Sequence, residues 1–280
     1  MQINEFKKVF SKELGGIYSQ EETQTILDYI LIDAFGISKL TILSQPQLEL
    51  AKNQAEKVVS FLADLKKGIP VQHLLGVGHF YGLMLKVTPD VLIPRQETEE
   101  LVDLIIKENK GKKLKILDVC TGSGCIALAL KKNLPECEVT AIELSEKALI
   151  VAKENMATLG LQVNFKKADA LKLEEELAGE SYDIIVANPP YIPVSDKDNV
   201  QKNVWMYEPH TALFVPDEKP LLFYESIAGF AKKTKPVTLY FEINEDLGHD
   251  LTELLNKLSF KEIDLKRDLN GKNRMLKCQI

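Results

Sequence analysis

Four consecutive residues, Asn188-Pro189-Pro190-Tyr191, carry the sharpest chemical signal in the chain. Two prolines in succession fix φ and remove two backbone N–H donors. The segment therefore offers the Asn188 side-chain oxygen and the Pro189 carbonyl with no competing backbone donor. That is an acceptor pair for the two hydrogens of a planar –NH2 group, either an amide or an exocyclic amine. An amide nitrogen is a poor nucleophile because its lone pair is delocalised, and acceptors drawing on both N–H bonds favour charge build-up on it in the transition state. With the nitrogen held in line with an activated methyl, positioning does much of the work and no general base is obligatory. Tyr191 would wall or stack on the planar group. A rigid turn closing a strand is the bland reading of the same residues.

A second cluster is Asp118-Val119-Cys120-Thr121-Gly122-Ser123-Gly124, between an apolar strand and a helix start. Glycines permit close backbone approach, and a helix N-terminus offers free N–H groups to a nucleotide-like ligand. Asp118, Cys120, Gly122 and Gly124 suit D-x-G-x-G-x-G with its first glycine replaced by cysteine, rather than a dinucleotide fingerprint, so hydride transfer is the weaker reading. Cys120 is expected to keep an ordinary φ and to make backbone contacts only. Glu143 ends the next strand about 20 residues on, where a carboxylate can accept from both ribose hydroxyls of an adenosine. Asp169, after a third strand, could accept from an adenine amino group, although surface aspartates are common; the sequence offers no aromatic beside it. A cofactor combining adenosine with a sulfonium methyl, S-adenosylmethionine, answers both clusters.

These residues need a frame. Strands and helices alternate from Glu97 onward: strands at 115–119, 138–143, 163–167, 182–190 and 237–243, with helices from about 124, at 145–159 and at 218–233. That order implies a parallel sheet wrapped by helices, closed by a hairpin of KEIDLKRD and RMLKCQI. The expectation is an α/β, Rossmann-like class I methyltransferase fold with a seven-stranded, mostly parallel sheet. Before it, a capping box at Ser19 to Glu22 and apolar steps of three and four predict helices over 3–14, 20–35 and 46–67. The division expected is a helical bundle over 1–72, a hairpin linker over 73–94, and a cofactor-binding catalytic domain over 95–280.

Composition narrows the partners. The 280 residues are 45% hydrophobic and 27% charged, enough to bury a real core, and the net charge of −6 would repel a phosphate backbone. Residues 1–72 hold eight lysines against nine aspartates plus glutamates, so the accessory bundle lacks a basic face. Direct nucleic-acid binding is not expected. No signal-length apolar run opens the chain and no membrane-length run follows, so a cytoplasmic, monomeric protein is the expectation. Cys120, Cys125, Cys137 and Cys278 lack paired spacing and His73, His79, His210 and His249 are scattered, so no metal is expected.

With these residues in place, the chain resembles the peptide-chain release factor glutamine methyltransferases, the HemK or PrmC family, over nearly its full length. The resemblance rests on Pro70 to Gly76, Phe80-Tyr81-Gly82, Val91 to Val102, the Asp118–Gly124 turn, Asn188 to Ile192 and Glu208 to Phe214, in family order. It implies methylation at N5 of the glutamine in the Gly-Gly-Gln loop of class I release factors, with the bundle helping to dock the factor. It also implies that Asn188 to Tyr191 hold that glutamine while Cys120 to Gly124 and Glu143 hold the cofactor. Ribosomal-protein glutamine methyltransferases share the same four residues but usually carry Ser-Pro after Ile-Pro-Arg; Glu97-Thr98-Glu99 looks like the release-factor branch. Gln96 stands where the family usually has proline, and Cys120 where it usually has glycine. Arg95, Glu97 and Glu208 are read as shaping a wall or an ion pair. The alternatives are an adenine amino-methyltransferase, since that amine fits the same cradle after base flipping, a ribosomal-protein glutamine methyltransferase, and a non-catalytic binding module.

Overall fold

Steps of three and four carry Ile3, Phe6, Phe10 and Leu14 into a core along one side of α1 (Ile3–Leu14). α2 (Gln20–Tyr29) starts at the expected capping box. Ser19 Oγ accepts the Glu22 N–H at 3.1 Å, and the Glu22 carboxylate accepts the Ser19 N–H at 2.8 Å. The helix expected to run to 35 widens into a π turn over Ile30–Ala34. After α3 (Lys39–Ser44), α4 (Lys52–Leu65) buries Val58, Phe61, Leu62 and Leu65. It begins later than the apolar steps suggest, and Leu48 and Ala51 precede it. The reason is that this backbone is spent elsewhere: Ile3 N–H donates to the Leu48 carbonyl and Leu50 N–H to that of Met1. α5 (Val71–Leu75) follows. The computed structural model describes residues 1–234 and 237–280, and its contacts divide it into Met1–Val77 with Gln201–Tyr207, and Gly78–Val200 with Glu208–Ile280.

The chain enters the second unit within a hairpin of β1 (Val77–Phe80) and β2 (Leu83–Lys86), turned by Tyr81 and Gly82 with φ of 45° and 70°. Phe80, Leu83 and Leu85 are buried in the core that also takes Leu101, Val102 and Ile105 of α6 (Gln96–Asn109). Then come β3 (Lys115–Val119), α7 (Cys125–Asn133), β4 (Glu138–Glu143), α8 (Glu146–Leu159), β5 (Asn164–Lys167), α9 (Leu173–Glu176) and β6 (Ile184–Ala187). A two-residue ladder joins β7 (Ile192–Pro193), before the α10 turn (Lys202–Tyr207) of the first unit, to β8 (Phe214–Val215). α11 (Leu222–Lys233), β9 (Thr238–Glu242), α12 (Gly248–Lys257), β10 (Lys261–Arg267) and β11 (Asn273–Gln279) complete the chain. α6, α12 and the short ladder lie outside the elements expected from the sequence, and β6 is shorter than the strand expected over 182–190.

The seven-stranded sheet has the order β10-β11-β9-β6-β3-β4-β5, parallel from β9 to β5 and antiparallel at β10 and β11. The chain runs outward from β3 through β4 to β5, then returns to the other side of β3 at β6. Such a reversal opens a crevice at the carboxyl ends of the strands. Register decides what borders it. Val119 pairs with Ile142 and with Ala187, and Ala187 with Phe241, so the next residues, Cys120, Glu143, Asn188 and Glu242, stand in one row.

A cavity at the carboxyl ends of the parallel strands

Cys120, Glu143 and Asn188 of that row border a cavity of about 330 Å³ within the second unit. Of the residues singled out in the sequence, Cys120, Gly122, Glu143, Asp169, Asn188 and Pro190 line it; Asp118, Thr121, Ser123, Gly124, Pro189 and Tyr191 lie outside its wall. Phe223 of α11 lines it together with Asp169, so the aromatic missing from the local sequence arrives from 54 positions downstream. No local signal pointed to it.

The turn after β3 is held by carboxylates. Asp118 Oδ2 accepts from the Thr121 hydroxyl and, at 3.2 Å, from the Ala127 N–H of α7, which accounts for its place behind the wall rather than in it. Glu143 accepts the Gly122 N–H at 3.0 Å through Oε2 and the Ser145 N–H at 2.9 Å through Oε1. Cys120 departs from expectation: its φ is +63°, the left-handed region that favours glycine. The backbone must reverse there for Thr121 N–H to reach the Ile142 carbonyl at 3.0 Å, and that constraint overrides the cost of a Cβ. Asp169 spends Oδ1 on the Leu171 N–H at 2.9 Å, which leaves its other oxygen.

On the facing side, Asn188 Nδ2 donates to Thr98 Oγ1 at 3.2 Å. The Thr98 hydroxyl donates to Glu242 Oε2 at 2.6 Å, and the Tyr191 hydroxyl approaches Glu242 Oε1 at 3.5 Å. Burial pushes the Tyr191 phenol up, with Glu242 adding to it, so the hydroxyl stays protonated and neutral. Glu208, with its side chain 1% exposed, pairs with Arg95 and accepts the Ile93 N–H at 2.9 Å. It thereby ties the segment of Asp90 to Leu92 to that of Pro209 to Ala212, and both line the cavity. A structural ion pair is one reading of Arg95 and Glu97 from the sequence; the partner that Arg95 takes is Glu208.

Asp118 is fully buried, and that burial pushes its carboxyl up to about 7 against the opposing pull of Thr121 and Ala127. An unfolded aspartate titrates near about 4. Between those values the unfolded chain has lost a proton that the fold retains, so this group makes stability fall as pH rises from about 4 to about 7. Relative to the unsubstituted protein, Asp118→Asn is expected to gain stability over that window, read as urea midpoints of the ligand-free protein. A difference that stays flat with pH would mean the carboxyl is already ionised in the fold.

The sheet order and the row of residues at its carboxyl edge define a class I methyltransferase. Residues 96–206 match the family model of the methyltransferase small domain and residues 8–76 that of the PrmC N-terminal domain. The chain is 42% identical over 284 aligned residues to the release factor glutamine methyltransferase of Flavobacterium psychrophilum, covering 99% of each. It is 39% identical to that of Bacteroides thetaiotaomicron, covering 98% of this chain and 99% of the relative. A solved T. thermophilus 16S rRNA methyltransferase, RsmC, in complex with AdoMet and guanosine shares the fold, with a TM-score of 0.53, 17% identity, and coverage of 72% of this chain and 49% of that one. The chain belongs to the release factor glutamine methyltransferase family. Among the described residues, no helix is long and apolar enough to cross a membrane.

Proposed function

We propose that this protein transfers a methyl group from S-adenosylmethionine to the side-chain amide nitrogen of the glutamine in the Gly-Gly-Gln motif of class I peptide chain release factors. The observation that carries the reading is that Asn188 and Pro190 open on the same cavity as Gly122, Glu143 and Asp169. Family membership at 42% identity supports it. The cavity suits the cofactor chemically: a carboxylate at Glu143, a free carboxylate oxygen at Asp169, the ring of Phe223, and a volume within the usual range for small-molecule sites.

In this reading Glu143 accepts the ribose hydroxyls, Asp169 accepts from the adenine amino group, and Phe223 lies against the base. Asp118, Thr121, Ser123 and Gly124 keep the turn in shape, and Cys120 and Gly122 line its open side. When bound, the cofactor supplies a methyl carried on positively charged sulfur, a good leaving group. Asn188 and the Pro189 carbonyl accept hydrogen bonds from the two N–H groups of the glutamine amide, and Tyr191 walls its flat face; as the nitrogen takes the methyl it gives up one of those protons to water. Burial in this cleft strengthens those hydrogen bonds as charge develops on nitrogen. The helical unit, near neutral in charge, helps to dock the protein substrate.

Labelled methyl should pass from S-adenosylmethionine to a purified release factor and be absent when the factor's Gly-Gly-Gln glutamine is alanine. Label that survives the change would move the assignment to another acceptor, such as a ribosomal protein or an adenine amine. Glu143→Ala is expected to weaken cofactor binding by about 10- to 100-fold, the loss of one or two charge-assisted hydrogen bonds. An unchanged dissociation constant by calorimetry would remove Glu143 from the cofactor site.

A further inference from the structure

Glu242 ends an apolar strand and is 2% exposed, an expensive place for a carboxylate unless it organises something. Register sets it beside Asn188 at the carboxyl edge, because Ala187 pairs with Phe241. Between the two stands Thr98, also 2% exposed, in the first turn of α6. A threonine hydroxyl has one proton to give. Thr98 gives it to Glu242 Oε2 at 2.6 Å, so only its lone pairs face Asn188, and these accept the Nδ2–H at 3.2 Å. The Asn188 amide is then oriented by the network: its nitrogen is turned to Thr98, which takes one of its two N–H bonds, and its carbonyl oxygen is left for a ligand in the cavity that Asn188 lines.

We infer that Thr98 and Glu242 are positioning residues, a hydroxyl–carboxylate relay that holds Asn188 with its oxygen toward the methyl acceptor. The inference rests on the proposed amide or amine substrate, since an acceptor atom is needed only for an –NH2 group. Reversing the relay reverses the amide. A protonated Glu242 can donate to Thr98, whose own proton then turns toward Asn188 and favours the flipped amide, with NH2 facing the cavity and repelling the substrate's N–H bonds.

Charged and titratable groups around Glu242 come from five places: Glu97 on α6, Cys125 on α7, Tyr191 after β6, Tyr224 on α11 and Arg274 on β11. The Tyr224 hydroxyl donates to the Glu242 backbone carbonyl at 2.9 Å, which fixes the strand end. Burial pushes the Glu242 carboxyl up to about 7, with Thr98 and Arg274 drawing it down and Glu97 pushing it further up. The relay therefore switches near neutrality, with the working orientation on the alkaline side.

The test uses two readouts on the full-length protein. Thr98→Val removes the hydroxyl at nearly constant volume and is expected to lower kcat by about 10- to 100-fold with KM for the cofactor within about threefold, while Thr98→Ser recovers most of the loss. The acid limb of the kcat profile, with its midpoint near about 7, should be absent in Glu242→Gln, which accepts from Thr98 but cannot titrate. The second readout needs no substrate. The Asn188 side-chain NH2 resonance in a nitrogen-15 NMR spectrum, assigned by its disappearance in Asn188→Asp, should shift with pH around 7 and stop doing so in Glu242→Gln and Thr98→Val. A resonance indifferent to pH in the unsubstituted protein, or a Thr98→Val enzyme with unaltered kcat, would overturn the relay. Titration of that resonance in a protein that methylates no release factor would keep the relay and sink the substrate assignment instead.

Discussion

Asn188→Ala is expected to lower kcat by about 100- to 1000-fold, roughly 3–4 kcal/mol of transition-state stabilisation, while the cofactor dissociation constant moves by no more than a few-fold. The size follows from where the side chain works. In the proposed function its oxygen is one of two acceptors for the hydrogens of the methyl-accepting nitrogen, and deleting it leaves the Pro189 carbonyl alone. An amide nitrogen gains nucleophilicity only as its N–H bonds are drawn upon, so the loss appears in the chemical step rather than in ground-state binding. The fold should tolerate the change, because Thr98 still donates to Glu242 at 2.6 Å and loses only one incoming N–H. Single-turnover transfer to a release factor measures the effect. A kcat within threefold of the unsubstituted enzyme would show that the cradle does no chemistry.

The second large effect concerns the fold of the cofactor turn. Gly124→Val is expected to cost about 2–5 kcal/mol of stability, and cofactor binding with it. Gly124 has a φ of +83°, and a Cβ there would come within 3.1 Å of Phe165, 3.2 Å of Ala152 and 3.2 Å of Leu128. The left-handed backbone costs an L-residue roughly 1–2 kcal/mol, most for a β-branched one, and overpacking adds about 1–3 kcal/mol. Gly122 is the internal comparison. Its φ is +55°, but an added Cβ would meet nothing within 4 Å, so Gly122→Ala should cost only about 1–2 kcal/mol. Because Gly122 lines the cavity, that milder variant should act mainly on cofactor affinity. Urea unfolding of the ligand-free proteins separates the two, and equal destabilisation would mean that crowding at Gly124 is relieved by its neighbours.

Much of this protein is written locally. The glycine turn, the capping box at Ser19, the alternation of apolar strands with helices and the paired prolines after Asn188 each act over a few residues. Local physics is enough to read them: φ restriction, N-cap hydrogen bonding and side-chain periodicity. Boundaries were less legible. The step pattern ran α4 back to Leu48 because it cannot register that the backbone of 48–50 is already paired with Met1 and Ile3. α6 and α12 are absent from the expected elements, yet Leu101, Val102 and Ile105, and Leu251 and Leu255, stand at helical spacing, so there the signal is local.

Cys120 marks the border between the two kinds of information. Its residue type argues for an ordinary φ, and the hydrogen bond from Thr121 to a neighbouring strand imposes the left-handed one. The rest of the site lies beyond that border. Phe223 reaches the cavity from α11, Glu208 clasps two of its walls, and Thr98 joins Asn188 across 90 positions and Glu242 across 144. A hydrogen bond depends on register and on how a helix is rolled against a sheet, each precise to about an ångström, and neither is a property of any short stretch of chain. The sequence thus determined which groups were available for the chemistry. Only the tertiary structure decided which way the Asn188 amide faces, because that is set by a carboxylate on β9, a strand that follows the motif by about fifty positions and pairs beside β6.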